Sequence, residues 1–288
     1  MNILHLSDIH FRRSYPAADH GYAGTLYAMQ NPLLSLTACA DAAKKELSPD
    51  LVLISGDLTE DGDPEDYRLL KQKLTELFGD TPLLVTLGNH DCKEAFRRGW
   101  SGCSDHTFSD TDGISEQNLS APWHTYTDLG SFAVISFDSS REGCPNGLID
   151  SARLDWLSDT IIKNGKKPFI FMTHHHLLPR QHATPSVSYD ARLTDLLKNA
   201  PLICTLTGHT HYHFADIFAD HPYYTTASLS FRGENISGGI VRFEEVFGYS
   251  FYRLEGKALH ISEVRNRTFS TGKHLGEIRC GDSCVCPK

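Results

Sequence analysis

A layered α/β sandwich with helices outside is the fold this chain predicts, on three observations. Short apolar runs alternate with helical patterns from residue 2 to residue 208; the runs are continuously apolar; and strand patterns take over after residue 222. Continuous apolarity marks strands covered on both faces. Helical patterns between such strands form the outer layers.

The runs in order are NILHLSD (2–8), LVLISGD (51–57), PLLVTLGN (82–89), FAVISFD (132–138), PFIFMTH (168–174) and LICTLTG (202–208). Asn31-Pro32 opens a helix over LLSLTACADAAKKE, with a capping side chain followed by Pro at the first helical position. Asp63-Pro64 does the same for EDYRLLKQKLTELF, and further helices are expected from near Asp150 and over 190–199. YYTTASLSF, GIVRFEEV, YSFYRLE and ALHISEV then read as four strands. Segments 11–30 and 101–125 are long and polar, the form of lids, binding loops or plain surface. No repeat or biased linker divides the chain, so residues 1–265 are expected as one domain and 266–288 as a tail carrying a cysteine cluster.

Composition narrows the function. The 288 residues carry a formal charge of −9, which argues against duplex nucleic acid as the main partner. No apolar run approaches the ~20 residues that span a bilayer. The N-terminus MNILHLSDIH enters a strand pattern at once, without signal-peptide regions, so a cytoplasmic location is expected. Of eight cysteines, Cys39 and Cys204 fall in apolar patterns and read as buried fillers. Cys280, Cys284 and Cys286 could hold a metal or pair with Cys92, Cys103 or Cys144, although their spacing lacks the paired C-x₂-C of zinc ribbons.

Polar residues cluster where the apolar runs stop. The endings are Asp8-Ile9-His10, Gly56-Asp57, Gly88-Asn89-His90-Asp91, His174-His175-His176 and Gly208-His209-Thr210-His211, with His213 two residues further. Ligands of open α/β sheets collect at the carboxyl ends of strands, where such side chains converge. Carboxylate, imidazole and amide oxygen together suit Mn, Fe or Zn. Gly56, Gly88 and Gly208 are expected to let the chain turn sharply into the site.

Taken together, the endings D-x-H, G-D, G-N-H-D, a His after a strand, and G-H-x-H resemble the ordered signature of the calcineurin-like metallophosphoesterases over residues 1–230. That resemblance implies an α/β-β-α sandwich of mixed sheets and a centre of two divalent metal ions. Asp8, His10 and His211 would serve one ion, Asn89, His174 and His209 the other, and Asp57 would bridge them. His175 stays open as an alternative to His174, and His213 is outside the signature. The chemistry implied is attack on phosphorus by a metal-bridging hydroxide, with His90 protonating the leaving group and Glu60 orienting His90; Asp91 or Asp61 could replace Glu60. Purple acid phosphatases carry Tyr where this chain has Glu60, so a colourless or pale centre is expected.

Size and motif layout are most similar to the bacterial branch that hydrolyses cyclic nucleotides and glycerophosphodiesters. A small-molecule phosphodiester such as cyclic AMP is the expected substrate and a homodimer the family-based expectation. A phosphomonoesterase, a DNA exonuclease and a non-catalytic scaffold are the alternatives. Asp138 is expected to hold backbone or a histidine behind the site, and His20, Arg12, Arg13, His106 and His124 are candidate substrate contacts.

Overall fold

The structure, a computed structural model, describes residues 1–101, 119–181, 186–256 and 259–279. The chain opens with β1 (Asn2–Leu6), α1 (Gly21–Ala28), α2 (Pro32–Glu46), β2 (Leu51–Ser55), α3 (Pro64–Phe78), β3 (Leu83–Thr86) and α4 (Lys93–Gly99). β4 (Thr125–Asp128), β5 (Ala133–Phe137), β6 (Gly147–Ile149), α5 (Ser151–Asn164), β7 (Phe169–Thr173), β8 (Val187–Tyr189), α6 (Arg192–Lys198) and β9 (Leu202–Thr207) follow. The chain then continues as β10 (Phe214–Phe218), β11 (His221–Thr225), β12 (Arg232–Ile236), β13 (Ile240–Glu255) and β14 (His260–Arg279).

Two mixed six-stranded sheets result, as expected. One runs β12-β13-β1-β2-β3 with β14 on β13; the other runs β10-β11-β9-β7-β5-β4. Alternation along each strand builds the layers. In β1, Ile3 joins Leu51, Leu53, Val134, Ile170, Met172 and Leu206 in the core between the sheets. Leu4 and Leu6 face the other way, toward Leu36 and Ala40 of α2 and Leu70 and Leu74 of α3. On the far side, Ile135, Phe137 and Phe171 pack on Leu154, Leu157, Leu193 and Leu197 of α5 and α6. Cys39 and Cys204 are buried and free.

Helix starts follow their local chemistry. Asn31 accepts from Leu33 N, Asp63 from Glu65 N and Asp66 N, and Asp150 from Arg153 N. Each satisfies an amide that the first turn leaves open.

Four departures from the sequence reading stand out. The boundary at residue 265 falls inside β14, which stays paired with β13 through Arg279. GIVRFEEV and YSFYRLE form one strand, β13, instead of two. Gly248 between them marks a close approach rather than a turn, since a Cβ there would lie 2.1 Å from Arg267 O on β14. The polar segment 11–30 contains α1, and α4 follows the third strand ending without any cue in the apolar pattern. Residues 102–118, with Cys103 and His106, and residues 280–288, with Cys280, Cys284 and Cys286, lie outside the described residues. Among the described residues no helix is long and apolar enough to cross a membrane.

Candidate metal centre

The loops after β1, β2 and β3 in one sheet and after β7 and β9 in the other meet at the strands' carboxyl ends. Backbone bonds continue the sheet into these loops: Asp8 N donates to Gly56 O (3.0 Å), His10 N to Asp57 O (3.0 Å) and Gly208 N to His174 O (3.0 Å). The loops then bend hard. Asp8, His10, Asp57, His209 and His211 all have left-handed backbone, with φ between 48° and 70°. Non-glycine residues rarely adopt it, at about 1–2 kcal/mol each, and it clusters at functional sites.

All seven residues expected to face metal come together. His211 Nε2 lies 3.2 Å from Asp8 Oδ1 and 3.3 Å from His10 Nε2. His174 Nε2 lies 3.3 Å from Asp57 Oδ2, 3.2 Å from Asn89 Oδ1 and 3.1 Å from His209 Nδ1. Asp57 Oδ2 also stands 3.7 Å from His10 Nε2, between the two groups. Asp8, His10 and His211, and likewise Asp57, His174 and His209, bring their donor atoms within 4.8 Å of one another.

The histidine protons show what this arrangement suits. His10 Nδ1 faces Glu60 Oε2 (2.7 Å), His211 Nδ1 faces Phe231 O (2.7 Å) and His174 Nδ1 faces Ser55 O (2.8 Å). Those oxygens only accept, so each Nδ1 carries the hydrogen and each neutral ring turns an Nε2 lone pair inward. Lone pairs, carboxylates and an amide oxygen then face one another across 3.1–3.7 Å. Acceptors this close repel unless cations lie between them, and the mixed N/O set fits divalent metal.

Burial lowers the basicity of His174, but Asp57 and Asp8 outweigh it and raise His174 to about 9. Burial would raise Asp8 and Asp57; the surrounding histidines hold both well below the usual carboxylate range. For His90, burial is outweighed by Asp57 and Glu60, which raise it to about 10. Glu60 falls to about 2, since His90 and His10 overcome its burial.

Other residues have structural partners. Both His175 nitrogens are engaged, Nδ1 with Ser139 Oγ (2.8 Å) and Nε2 with Pro145 O (3.2 Å), whereas His174 points into the cluster. Asp91 accepts from Leu58, Thr59 and Gly88 amides and from Tyr67 Oη, and Asp61 pairs with Arg12. Glu60 does contact His90 Nδ1 (3.2 Å), but its closer partner is His10. His213 ties its loop to β14 through Arg267 O (3.2 Å). Asp138 holds the amides of Trp123 and Ser140. Arg13 pairs with Asp63 and Asp66, His124 stacks between Phe137 and Trp156, and His20 is exposed at the start of α1.

The glycines serve two purposes. Gly56 has φ +95°, a turn only glycine makes cheaply. Gly88 has no such angle; a Cβ there would lie 2.1 Å from Asp57 Oδ1, so it permits close approach instead. Sequence reasoning missed Tyr22, whose hydroxyl reaches Glu60, and the Phe231 and Ser55 carbonyls. Backbone acceptors carry no residue-type signal, and Tyr22 lay in a segment read as loop.

The family profile of calcineurin-like phosphoesterases matches residues 1–213. The chain is similar to a probable cyclic nucleotide phosphodiesterase of Rhodococcus erythropolis, 28% identical over 80% of this chain and 71% of that protein. A cAMP/cGMP dual specificity phosphodiesterase of Mycobacterium tuberculosis is 26% identical over 76% of this chain and 64% of its own length. A glycerophosphodiester phosphodiesterase of Enterobacter lignolyticus is 28% identical over 73% of this chain and 71% of its own. In fold, a dimetal phosphatase of Danio rerio superposes with TM-score 0.52 over 93% of this chain and 98% of that one, at 11% identity. The ordered strand endings, the acceptors they gather and the profile match agree: the chain belongs to the calcineurin-like phosphoesterase family, metal-dependent hydrolases of phosphoric esters.

Proposed function

We propose that this chain is a phosphodiesterase acting on a small molecule, either a cyclic nucleotide such as cyclic AMP or a glycerophosphodiester. In this reading Asp8, His10 and His211 would hold one divalent cation, Asn89, His174 and His209 would hold the other, and Asp57 would be shared between them; Mn, Fe and Zn all suit the set. The observation that carries it is the inward convergence of three Nε2 lone pairs on two carboxylates. When bound, two divalent cations supply a nucleophilic hydroxide at neutral pH and offset charge on the phosphoryl oxygens.

The remaining work falls to the chain's own groups. His90 keeps its ring 4.7 Å from that of His10, with 27% of the side chain open to solvent. Glu60 holds its Nδ1, which leaves Nε2 to donate to the departing oxygen. An alkoxide needs that proton, and a positioned acid contributes ~10²–10⁴-fold. The names of the relatives support a diester, and the charge of −9 disfavours duplex DNA.

The test is a panel of cyclic nucleotides, glycerophosphodiesters and monoesters with Mn²⁺, repeated on His90→Ala with metal content measured. Diester turnover that His90→Ala abolishes without loss of metal supports the assignment. Turnover confined to monoesters refutes it.

A further inference from the structure

Glu60 carries more contacts than a carboxylate that merely orients His90. Its Oε2 takes His10 Nδ1 at 2.7 Å and Tyr22 Oη at 3.3 Å, while His90 Nδ1 lies 3.2 Å from Oε1 and 3.2 Å from the Glu60 backbone carbonyl. The terminal torsion of a Glu side chain is soft. With His10 on one oxygen, a further contact is needed to fix where the other oxygen points. Tyr22 supplies it, and its ring lies 6.1 Å from those of both His90 and Phe231, closing the space beside the acid.

We propose that Tyr22 is a positioning residue for proton delivery: its hydroxyl fixes the rotation of Glu60, and Glu60 then aims His90 at the leaving oxygen. This rests on the assignment of His90 as the acid. Tyr22 itself is anchored from a distance. Leu26 of α1 and Met29 just after it pack with Phe231, Phe243 and Leu275, and Lys273 Nζ donates to Ala28 O. Glu245 accepts from Gln30 N and from Thr271 Oγ1, both at 2.7 Å. The stretch of β14 beyond residue 265 is therefore what seats Tyr22. Burial, and then Glu60 and Asp57, keep its hydroxyl protonated as a donor.

The experiment compares two diesters on the Mn²⁺ enzyme. A dialkyl diester expels an alkoxide that needs a proton, and bis(p-nitrophenyl) phosphate expels a nitrophenolate that does not. Tyr22→Phe is expected to lower kcat for the dialkyl ester about tenfold more than for the nitrophenyl ester, part of the ~10²–10⁴-fold of a positioned acid, with both KM values held within about twofold. Calorimetry on the same variant is expected to show Mn²⁺ affinity down severalfold, since Glu60 also orients His10. Equal losses on both esters, or no loss on either, overturn the inference. His90→Ala separates the two layers. If it discriminates between the esters and Tyr22→Phe does not, only the role of Tyr22 fails; if it slows both equally, the acid assignment fails and this role with it.

Discussion

Replacing Glu60 with Gln is the most informative single change, because the two oxygens serve different histidines. Oε2 accepts from His10 Nδ1 at 2.7 Å and Oε1 faces His90 Nδ1 at 3.2 Å. Gln has one oxygen and one NH₂, so either His10 Nδ1 loses its acceptor or His90 Nδ1 loses its side-chain partner and keeps only the backbone carbonyl of residue 60, at 3.2 Å. Hydrogen bonds to a charged group are worth about 1.5–3 kcal/mol, and losing the partner of a ligating His lowers metal affinity about 10–100-fold, or about 1.4–2.7 kcal/mol at 1.36 per decade. The two figures agree. Charge adds a second signature. Glu60 adds to the rise that Asp57 gives His90, so removing it makes His90 easier to deprotonate. Calorimetric Mn²⁺ titration of chelator-stripped protein and kcat/KM against pH read both effects. The expected result is weaker binding at one cation position and an alkaline limb moved to lower pH. Wild-type affinity with an unmoved limb would refute the role given to Glu60.

Three further outcomes follow from the same geometry. Gly88→Ala is expected to cost at least about tenfold in metal affinity, because its Cβ would meet Asp57 Oδ1 at 2.1 Å and the immobile Asp57 N at 2.5 Å; an unchanged isotherm would contradict the close approach. Each cation at 100 times its Kd adds about 2.7 kcal/mol, and unfolding 288 residues at ~2.1 cal/mol/K each releases about 600 cal/mol/K, so each raises Tm by about 4–5 °C in a Mn²⁺-dependent melt. A Tm indifferent to chelator and Mn²⁺ would count against the site. His124, lowered to about 4 by burial, stays neutral when folded but charges near 6.5 when unfolded. Its stabilising effect is full above pH 6.5 and is lost as pH falls toward 4, about 2 kcal/mol by pH 5. Urea midpoints at pH 7 and pH 5 should therefore shift less in His124→Gln than in the wild type, and equal shifts would exclude this origin.

What the sequence made legible was whatever repeats within a few residues. Continuous apolar runs gave β1, β2, β3, β5, β7 and β9, and the Asn31-Pro32 and Asp63-Pro64 pairs gave the starts of α2 and α3. Residue type at the run ends drew attention to these positions, where imidazole and carboxylate are conspicuous, and the resemblance to the calcineurin-like metallophosphoesterases nominated the seven side chains that converge. Long-range causes were hidden. α1 is held by Leu275 and Lys273, some 250 positions away, so nothing local distinguishes 21–28 from a loop. β14 continues past 265 because β13 offers it a full edge, although its own polar, Gly-interrupted sequence reads as a tail. The carbonyls that fix the histidine tautomers belong to Ser55 and Phe231, and a carbonyl has no letter in the sequence.

The site is built against two local costs. Five of its residues take left-handed backbone, and its acceptors face one another. What offsets the first cost is neighbouring backbone. Asp8, His10 and Phe11 amides bond to Gly56, Asp57 and Leu58 carbonyls, extending the parallel pairing of β1 and β2 past the strand ends, and Asp8 caps His209 N at 3.0 Å. The main-chain frame is thus fixed by sheet-like bonds that involve none of the inward nitrogens, and only the side-chain repulsion is left for cations to relieve. Geometry and binding are separable for this reason. Because the backbone itself holds the frame, the binding free energy of cations in this site would go largely into relieving the repulsion between side chains that the frame aims at one another.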